Sequence, residues 1–267
     1  MDENRYFEII AEYKLLAKHE VGQNFLVDKN VSKRIVSLLK MNRDDRVLEI
    51  GSGAGSLSFY LAAYNVPTTL IDIDEGLVTK LKNDFEDFPN VSVYQANALK
   101  YDMTPFTKII GNLPYYITSS LLEKILLNAS NCKFSAIMVQ KEVFSRLSAL
   151  PKQEGYGPLS LLIAYRSNIK KEFVVPRTSF TPSPHVDSLV FSLSFKEDAS
   201  IDLAKDLYSF TSALFLHRRK TILNNLSSFL KDEEKAKDAL RESGILPNKR
   251  PEEIDLNSYL KLLSILH

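Results

Sequence analysis

The chain has 267 residues, 45% of them hydrophobic, which is enough for one large domain with a buried core and a smaller second one. Its 34 Lys and Arg against 33 Asp and Glu give a formal charge of +1, which excludes a uniformly basic nucleic-acid coat and requires any positive surface to be clustered. One cysteine, Cys132, excludes an intramolecular disulfide, no Cys/His spacing suits zinc, and neither the acidic start Met1-Asp2-Glu3-Asn4 nor any apolar run suggests a leader or a membrane span, so a cytoplasmic protein without a metal is expected.

In chain order, the apolar spacing predicts amphipathic helices over 5–17 and 30–40, the second carrying Val31, Ile35, Val36, Leu38 and Leu39 on one face. Strands are expected at 46–50, 68–72, 91–94, 107–111, 134–139, 169–175 and 188–195, with a helix-like stretch from Leu57 to Tyr64. Ser120 and Glu123 have the spacing of a capping box ahead of Leu121 to Leu127. From Ile201 onward only helices are predicted, at 203–216, 221–230, 233–243 and 256–266, with Pro247 and Pro251 separating the last two. Alternating strands and helices imply an α/β fold: a Rossmann-like core with a mostly parallel seven-stranded sheet. The closely spaced last strands are expected to be antiparallel, and a small α-helical domain to follow. The boundary is placed at 196/197.

Four strand ends carry polar residues. Val47 to Ile50 runs into Gly51-Ser52-Gly53-Ala54-Gly55, where glycines let the backbone approach a ligand, with Glu49 just before them. A lone Gly-x-Gly-x-Gly is a weak signal. Asp72 ends the next strand, at the position where ribose hydroxyls are usually held, and the third ends at Ala96-Asn97-Ala98, where Asn97 offers an amide to an adenine edge. No Gly-Lys-Ser/Thr follows, which argues against a triphosphate. Each polar residue alone reads as a cap or turn residue; together they define a nucleoside site at the carboxyl edge of one sheet.

The fourth end is Ile109-Ile110-Gly111-Asn112-Leu113-Pro114-Tyr115-Tyr116. The exocyclic amine of adenine spreads its lone pair into the ring and attacks a methyl donor poorly until two acceptors localise that pair. The Asn112 side-chain oxygen and the Leu113 carbonyl are suited to this, and to stabilising the positive charge that develops. Tyr115 offers a flat face for the base, a contact worth about 1–3 kcal/mol in nucleic-acid sites. Taken alone, Asn-Leu-Pro-Tyr is equally a strand-ending turn, and Phe180, before Pro182 and Pro184, reads as an apolar anchor beneath a loop.

The ordered blocks GQNFLVD (from Gly22), EIGSGAGSL (Glu49), DID (Asp72), NAL (Asn97), NLPYYITS (Asn112), VQKEVFSRL (Val139), YGPLS (Tyr156), FTPSPHVDS (Phe180) and HRRKTILNNL (His217) resemble the ribosomal RNA adenine dimethyltransferases. NLPY and the Arg-Arg-Lys-Thr tail resemble the KsgA branch rather than the Erm resistance branch. The resemblance implies an S-adenosylmethionine-dependent enzyme that dimethylates two adjacent adenosines in a hairpin loop near the 3′ end of small-subunit ribosomal RNA, with a role in small-subunit biogenesis. It carries cofactor contacts onto Asn24, Leu26, Glu49, Gly51, Gly53, Asp72, Ile73, Asn97, Ala98 and Asn112. The reacting site falls on Asn112, Leu113 and Tyr115, with Phe180 as a second aromatic wall. Arg218, Arg219 and Lys220 are assigned to RNA. The partner implied is the RNA within a pre-30S or 30S particle, not DNA or a membrane, with the protein acting as a monomer. Departures from the family pattern are Asp72 in place of Glu and Asn97 in place of Asp, which both keep an acceptor, and Lys18-His19-Glu20 and His185 where cations are commoner, which with the near-neutral charge point to recognition of a preformed particle by shape.

Overall fold

A computed structural model describes residues 2–12 and 24–266, apart from the side chain of Tyr115. The second half of the helix expected over 5–17 and the residues Lys18 to Gln23 lie outside the described residues. The chain divides into two compact units: Met1–Phe144 with Ile169–Phe195, and Ser145–Asn168 with Lys196–His267.

The first unit holds a seven-stranded sheet. Its strands are β2 (Val47–Ile50), β3 (Thr68–Asp72), β4 (Val91–Gln95), β5 (Lys108–Asn112), β6 (Phe134–Gln140), β7 (Ser167–Val175) and β9 (Ser188–Phe195), in the order β4-β3-β2-β5-β6-β9-β7. The pairs β2–β3, β3–β4, β2–β5 and β5–β6 are parallel, whereas β6 and β9 run antiparallel. β2 is buried along its whole length and β6 in its five central residues, as apolar runs at the centre of a sheet covered on both faces should be. The edge strand β4 is half-exposed, and the other edge, β7, carries Lys170, Lys171 and Glu172, charges that discourage further strand addition. A two-stranded ribbon, β1 (Phe25–Leu26) with β8 (Phe180–Thr181), pairs Leu26 with Phe180.

Helices α1 (Glu3–Glu12), α2 (Lys29–Ser37), α3 (Ser58–Ala62), α4 (Glu75–Asp84) and α5 (Thr118–Asn128) surround this sheet, and α6 (Lys141–Leu147) follows β6. Asp28 caps α2 by accepting from the Asn30 and Val31 amides, and Asp74 caps α4 through Gly76 and Leu77. The capping box expected at Ser120 is replaced by a different start. α5 begins two residues earlier, at Thr118, whose hydroxyl bonds back to the Pro114 carbonyl at 3.0 Å, so the loop before the helix is continuous with its first turn.

The second unit is helical: α7 (Pro158–Arg166), α8 (Ile201–Leu214), α9 (Ile222–Leu230), α10 (Glu233–Ser243) and α11 (Leu256–Leu266). Its core joins Tyr156 and Leu161 to Leu207, Phe210, Leu214, Leu226, Leu240 and Leu262. The boundary expected at 196/197 is therefore corrected, because 145–168 belongs with the tail helices. Leu161 supplies apolar surface to their core, the Tyr156 hydroxyl donates to the Ile254 carbonyl at 2.8 Å, and the Lys152 amide donates to the Glu252 carbonyl at 2.8 Å.

β2 runs outward to β3 and β4 before the chain returns to β5 on its other side, so the strand order reverses between β2 and β5 and a crevice opens at their carboxyl ends. Close contact there needs Gly111, where a Cβ would lie 2.7 Å from the Ile50 carbonyl oxygen. Gly111→Ala should cost about 1–3 kcal/mol, seen as a lower urea midpoint with an unchanged slope; a wild-type midpoint would show that β2 yields without strain.

Candidate active site

The crevice holds a cavity of about 260 Å³. Every cofactor residue expected from the sequence lines it: Asn24 just before β1 and Leu26 within it, Glu49 in β2 with Gly51 and Gly53 after it, Asp72 at the end of β3 and Ile73 after it, Asn97 and Ala98 after β4, and Asn112 at the end of β5. Leu113 lines it too, beside Asn112, and register places Gly111 opposite Ile50, so Asn112 follows directly alongside the glycine loop.

Two carboxylates organise the loop. Asp72 Oδ2 accepts from the Gly53 amide at 2.8 Å and Oδ1 from the Asp74 amide at 2.9 Å, joining the β2 and β3 ends. Burial pushes the Asp72 carboxyl above its ordinary value, opposed by those backbone hydrogen bonds. Glu49 is 2% exposed, and burial raises its carboxyl from an ordinary 4.5 to about 8; the Ser58 hydroxyl bond at 2.6 Å lowers it and the nearby Asp72 charge raises it further. Burial is the larger effect, so Glu49 is the group beneath the loop whose ionisation an entering cation would favour. Asn97 does what a turn residue does, its Oδ1 accepting from the Leu99 amide at 2.9 Å, which leaves Nδ2 as the donor it can present. Ile73 is 64% exposed and gives the cavity an apolar face.

Phe180 is 4% exposed and does not line the cavity. It pairs with Leu26, which does line the cavity, and packs with Val36, Phe173 and Val175 on the core side of the ribbon. Alternation along the ribbon sends Phe25 the other way, against Gly53 and onto the cavity wall. The Tyr115 side chain lies outside the described residues. Tyr116, which the sequence reading left without a role, is 64% exposed on the cavity rim; its only sequence signal is a second aromatic after the loop.

Ser52 was also left without a role. Its hydroxyl is buried on the cavity wall with no hydrogen-bond partner among the described residues. A buried hydroxyl without a partner costs about 1–3 kcal/mol, so it fits a polar ligand in this place. The cavity as a whole suits S-adenosylmethionine: a glycine loop, an ionisable acid beneath it, an acid at the second strand end, and apolar and amide groups for an adenine. Among the described residues no cluster of His, Cys, Asp and Glu could hold a metal ion.

A sequence model of the ribosomal RNA adenine dimethylase family matches residues 15–267. The chain belongs to that family. Among its relatives, a protein of Malacoplasma penetrans called ribosomal RNA small subunit methyltransferase A is 36% identical, over 98% of this chain and 96% of its own length. One of the same name from Streptococcus gordonii is 34% identical over 97% and 94%. In fold, this family member is similar to a dimethyladenosine transferase from Plasmodium falciparum, with a TM-score of 0.78 and 27% identity over 90% of this chain and 96% of the other. The 23S ribosomal RNA methyltransferase ErmE shares the fold, with a TM-score of 0.65 at 24% identity over 90% of this chain and 98% of the other.

Two outcomes follow. Because the Glu49 carboxyl is raised in the fold, the folded state binds more protons than the unfolded one between about pH 4.5 and 8. Its contribution to stability is therefore full below 4.5 and lost as pH rises through 8. Thermal melts of Glu49→Gln across this range should be flatter than those of the unsubstituted protein, and parallel curves would contradict the assignment. Ser52→Ala should leave the ligand-free melting temperature unchanged or higher while weakening S-adenosylmethionine binding about tenfold, measured by calorimetry; a drop in stability with unchanged binding would make the hydroxyl structural.

Proposed function

We propose that this protein transfers methyl groups from S-adenosylmethionine to the exocyclic amines of adenosines in small-subunit ribosomal RNA, giving N6,N6-dimethyladenosine at two adjacent positions of the 3′-terminal hairpin loop. One observation carries the reading: Asn112, the last residue of β5, and Leu113 after it lie on the same cavity that Glu49 to Ala54 line, so acceptors for an amine and a cradle for the methyl donor share one space. The relatives' names supply the substrate.

The Asn112 side-chain oxygen and the Leu113 carbonyl take the two N–H bonds of the target amine, favour a tetrahedral nitrogen and stabilise its growing positive charge. The loop is rigid enough for this, because the Pro114 carbonyl accepts both the Ile117 amide at 3.2 Å and the Thr118 hydroxyl at 3.0 Å. When bound, the cofactor supplies a sulfonium-activated methyl group with a neutral thioether as leaving group. The chain's task is then a near-attack geometry, with nitrogen and carbon about 3–3.5 Å apart, and no strong base is required. The amine of a monomethylated adenosine keeps one N–H, so one acceptor loses its partner in the second transfer. A looped-out adenosine suits this pocket, because unstacking costs least in a loop.

For RNA, Arg218, Arg219 and Lys220 are exposed in the turn before α9. Asn225 organises that turn, its Nδ2 donating to the carbonyls of His217 at 3.2 Å and Thr221 at 3.1 Å. The Ile222 amide bonds to the Lys249 carbonyl at 2.6 Å, which brings Lys249 and Arg250 beside the turn. A near-neutral chain thus concentrates positive charge on one patch of the helical unit, suited to phosphates of a folded particle. Arg218 is partly committed elsewhere, donating to the Tyr156 carbonyl at 3.1 Å, so Arg219 and Lys220 are the better phosphate ligands.

Tritiated methyl transfer to unmodified small subunits, with large subunits and naked RNA in parallel, tests the reading. Dimethyladenosine should appear chiefly in small subunits, and label on large-subunit RNA would refute it. Asn112→Ala should abolish both transfers, whereas retained monomethylation would remove Asn112 from the site. Arg219→Ala with Lys220→Ala should raise KM for the subunit and reduce its salt dependence without weakening cofactor binding; an unchanged KM would place the RNA contact elsewhere.

A further inference from the structure

The glycine loop is also held from behind. The Ala54 carbonyl accepts two side-chain hydrogen bonds, one from Tyr6 Oη of α1 at 3.3 Å and one from Lys80 Nζ of α4 at 3.1 Å. The donors touch each other, the Lys80 ammonium lying 4.7 Å from the centroid of the Tyr6 ring, within reach of a cation–π contact. Lys80 also pairs with Asp84 one turn along α4, and its side chain is 8% exposed. Tyr6 is 1% exposed and is fixed by ring contacts with Phe7, Phe59 and Phe85. The first turn of α1 is fastened by the Tyr60 hydroxyl to Glu3 at 2.5 Å and the Lys29 ammonium to Asn4 at 2.6 Å.

The same peptide is held at its other end, where the Gly55 amide donates to the Ser52 carbonyl at 2.9 Å. A peptide unit is planar, so fixing both its C=O and its N–H fixes the plane, and with it the path of the loop in front. There is no slack at Gly55: its φ is +94°, and a Cβ would lie 2.2 Å from Tyr6 Oη. A cation behind the carbonyl also polarises the peptide and strengthens the Gly55 amide as a donor, tightening the Ser52–Gly55 turn. Neither Tyr6 nor Lys80 lines the cavity, yet both act on Ala54, which does.

We propose that Tyr6 and Lys80 are positioning residues for the methyl-donor loop, so that α1, which precedes the residues the family model matches, is a working part of the cofactor site. The inference rests on the cofactor reading above. Tyr6→Phe keeps the ring in its aromatic cluster and removes only the hydroxyl, and Lys80→Met keeps the apolar stem, so neither change should empty the core. For each, the Kd for S-adenosylhomocysteine, the KM for S-adenosylmethionine, kcat on small subunits and the ligand-free melting temperature are to be measured. Each single variant should raise Kd and KM about fivefold with kcat at saturating cofactor near that of the unsubstituted enzyme. Because the two donors share one acceptor, the double variant should lose less than the product of the single losses. Unchanged Kd and KM with a lower melting temperature, or a loss confined to kcat, would overturn the inference alone. Failure of the unsubstituted protein to bind S-adenosylhomocysteine would overturn the cofactor reading with it.

Discussion

The site depends on one carboxylate. Asp72, at the end of β3, accepts an amide of the glycine loop through one oxygen and an amide of the β3–α4 turn through the other, so two strand ends that would otherwise carry independent loops become one wall. Each carboxylate oxygen has a second lone pair, so the same group can still receive hydroxyls from a ligand. Its burial beside Glu49 is expensive for two anions, and it pushes both carboxyls above their ordinary values. The arrangement is poised to accept positive charge, as binding a sulfonium and an ammonium requires.

Around that carboxylate the fold brings together residues far apart in sequence. The reversal of strand order places the β5 end next to the β2 end, and Gly111 lets the two strands approach closely enough for Asn112 to stand beside the glycine loop. In the proposed reaction, methyl donor and target amine meet at these adjacent strand ends. Rigidity comes from both sides: the Pro114 turn is locked to α5, and the Ala54 peptide is locked to α1 and α4.

Much of this was legible in the sequence, for physical reasons. Buried parallel strands are short apolar runs, so β2, β3, β5 and β6 are readable within a residue or two, and polar residues just after such runs have few places to go except the carboxyl edge. Other features were hidden because they depend on partners distant in sequence. That Phe180 packs with Val36 and Phe173 depends on its pairing with Leu26, and a one-residue change of register would reverse its side of the ribbon. The affiliation of 145–168 with the tail depends on Tyr156 and Leu161 meeting helices that begin some forty residues later in the chain. The roles of Ser52 and Tyr6 have no sequence signature, since an unpartnered hydroxyl or a hydroxyl on a backbone carbonyl is visible only in three dimensions.

The most direct test of the account is the affinity of Asp72→Asn for S-adenosylhomocysteine, measured by calorimetry beside its melting temperature. An amide keeps the size of the side chain but turns one acceptor into a donor facing an amide N–H, so the shared wall must open. The account predicts a loss of affinity greater than about tenfold together with a lower melting temperature. Affinity and stability equal to those of the unsubstituted protein would contradict it.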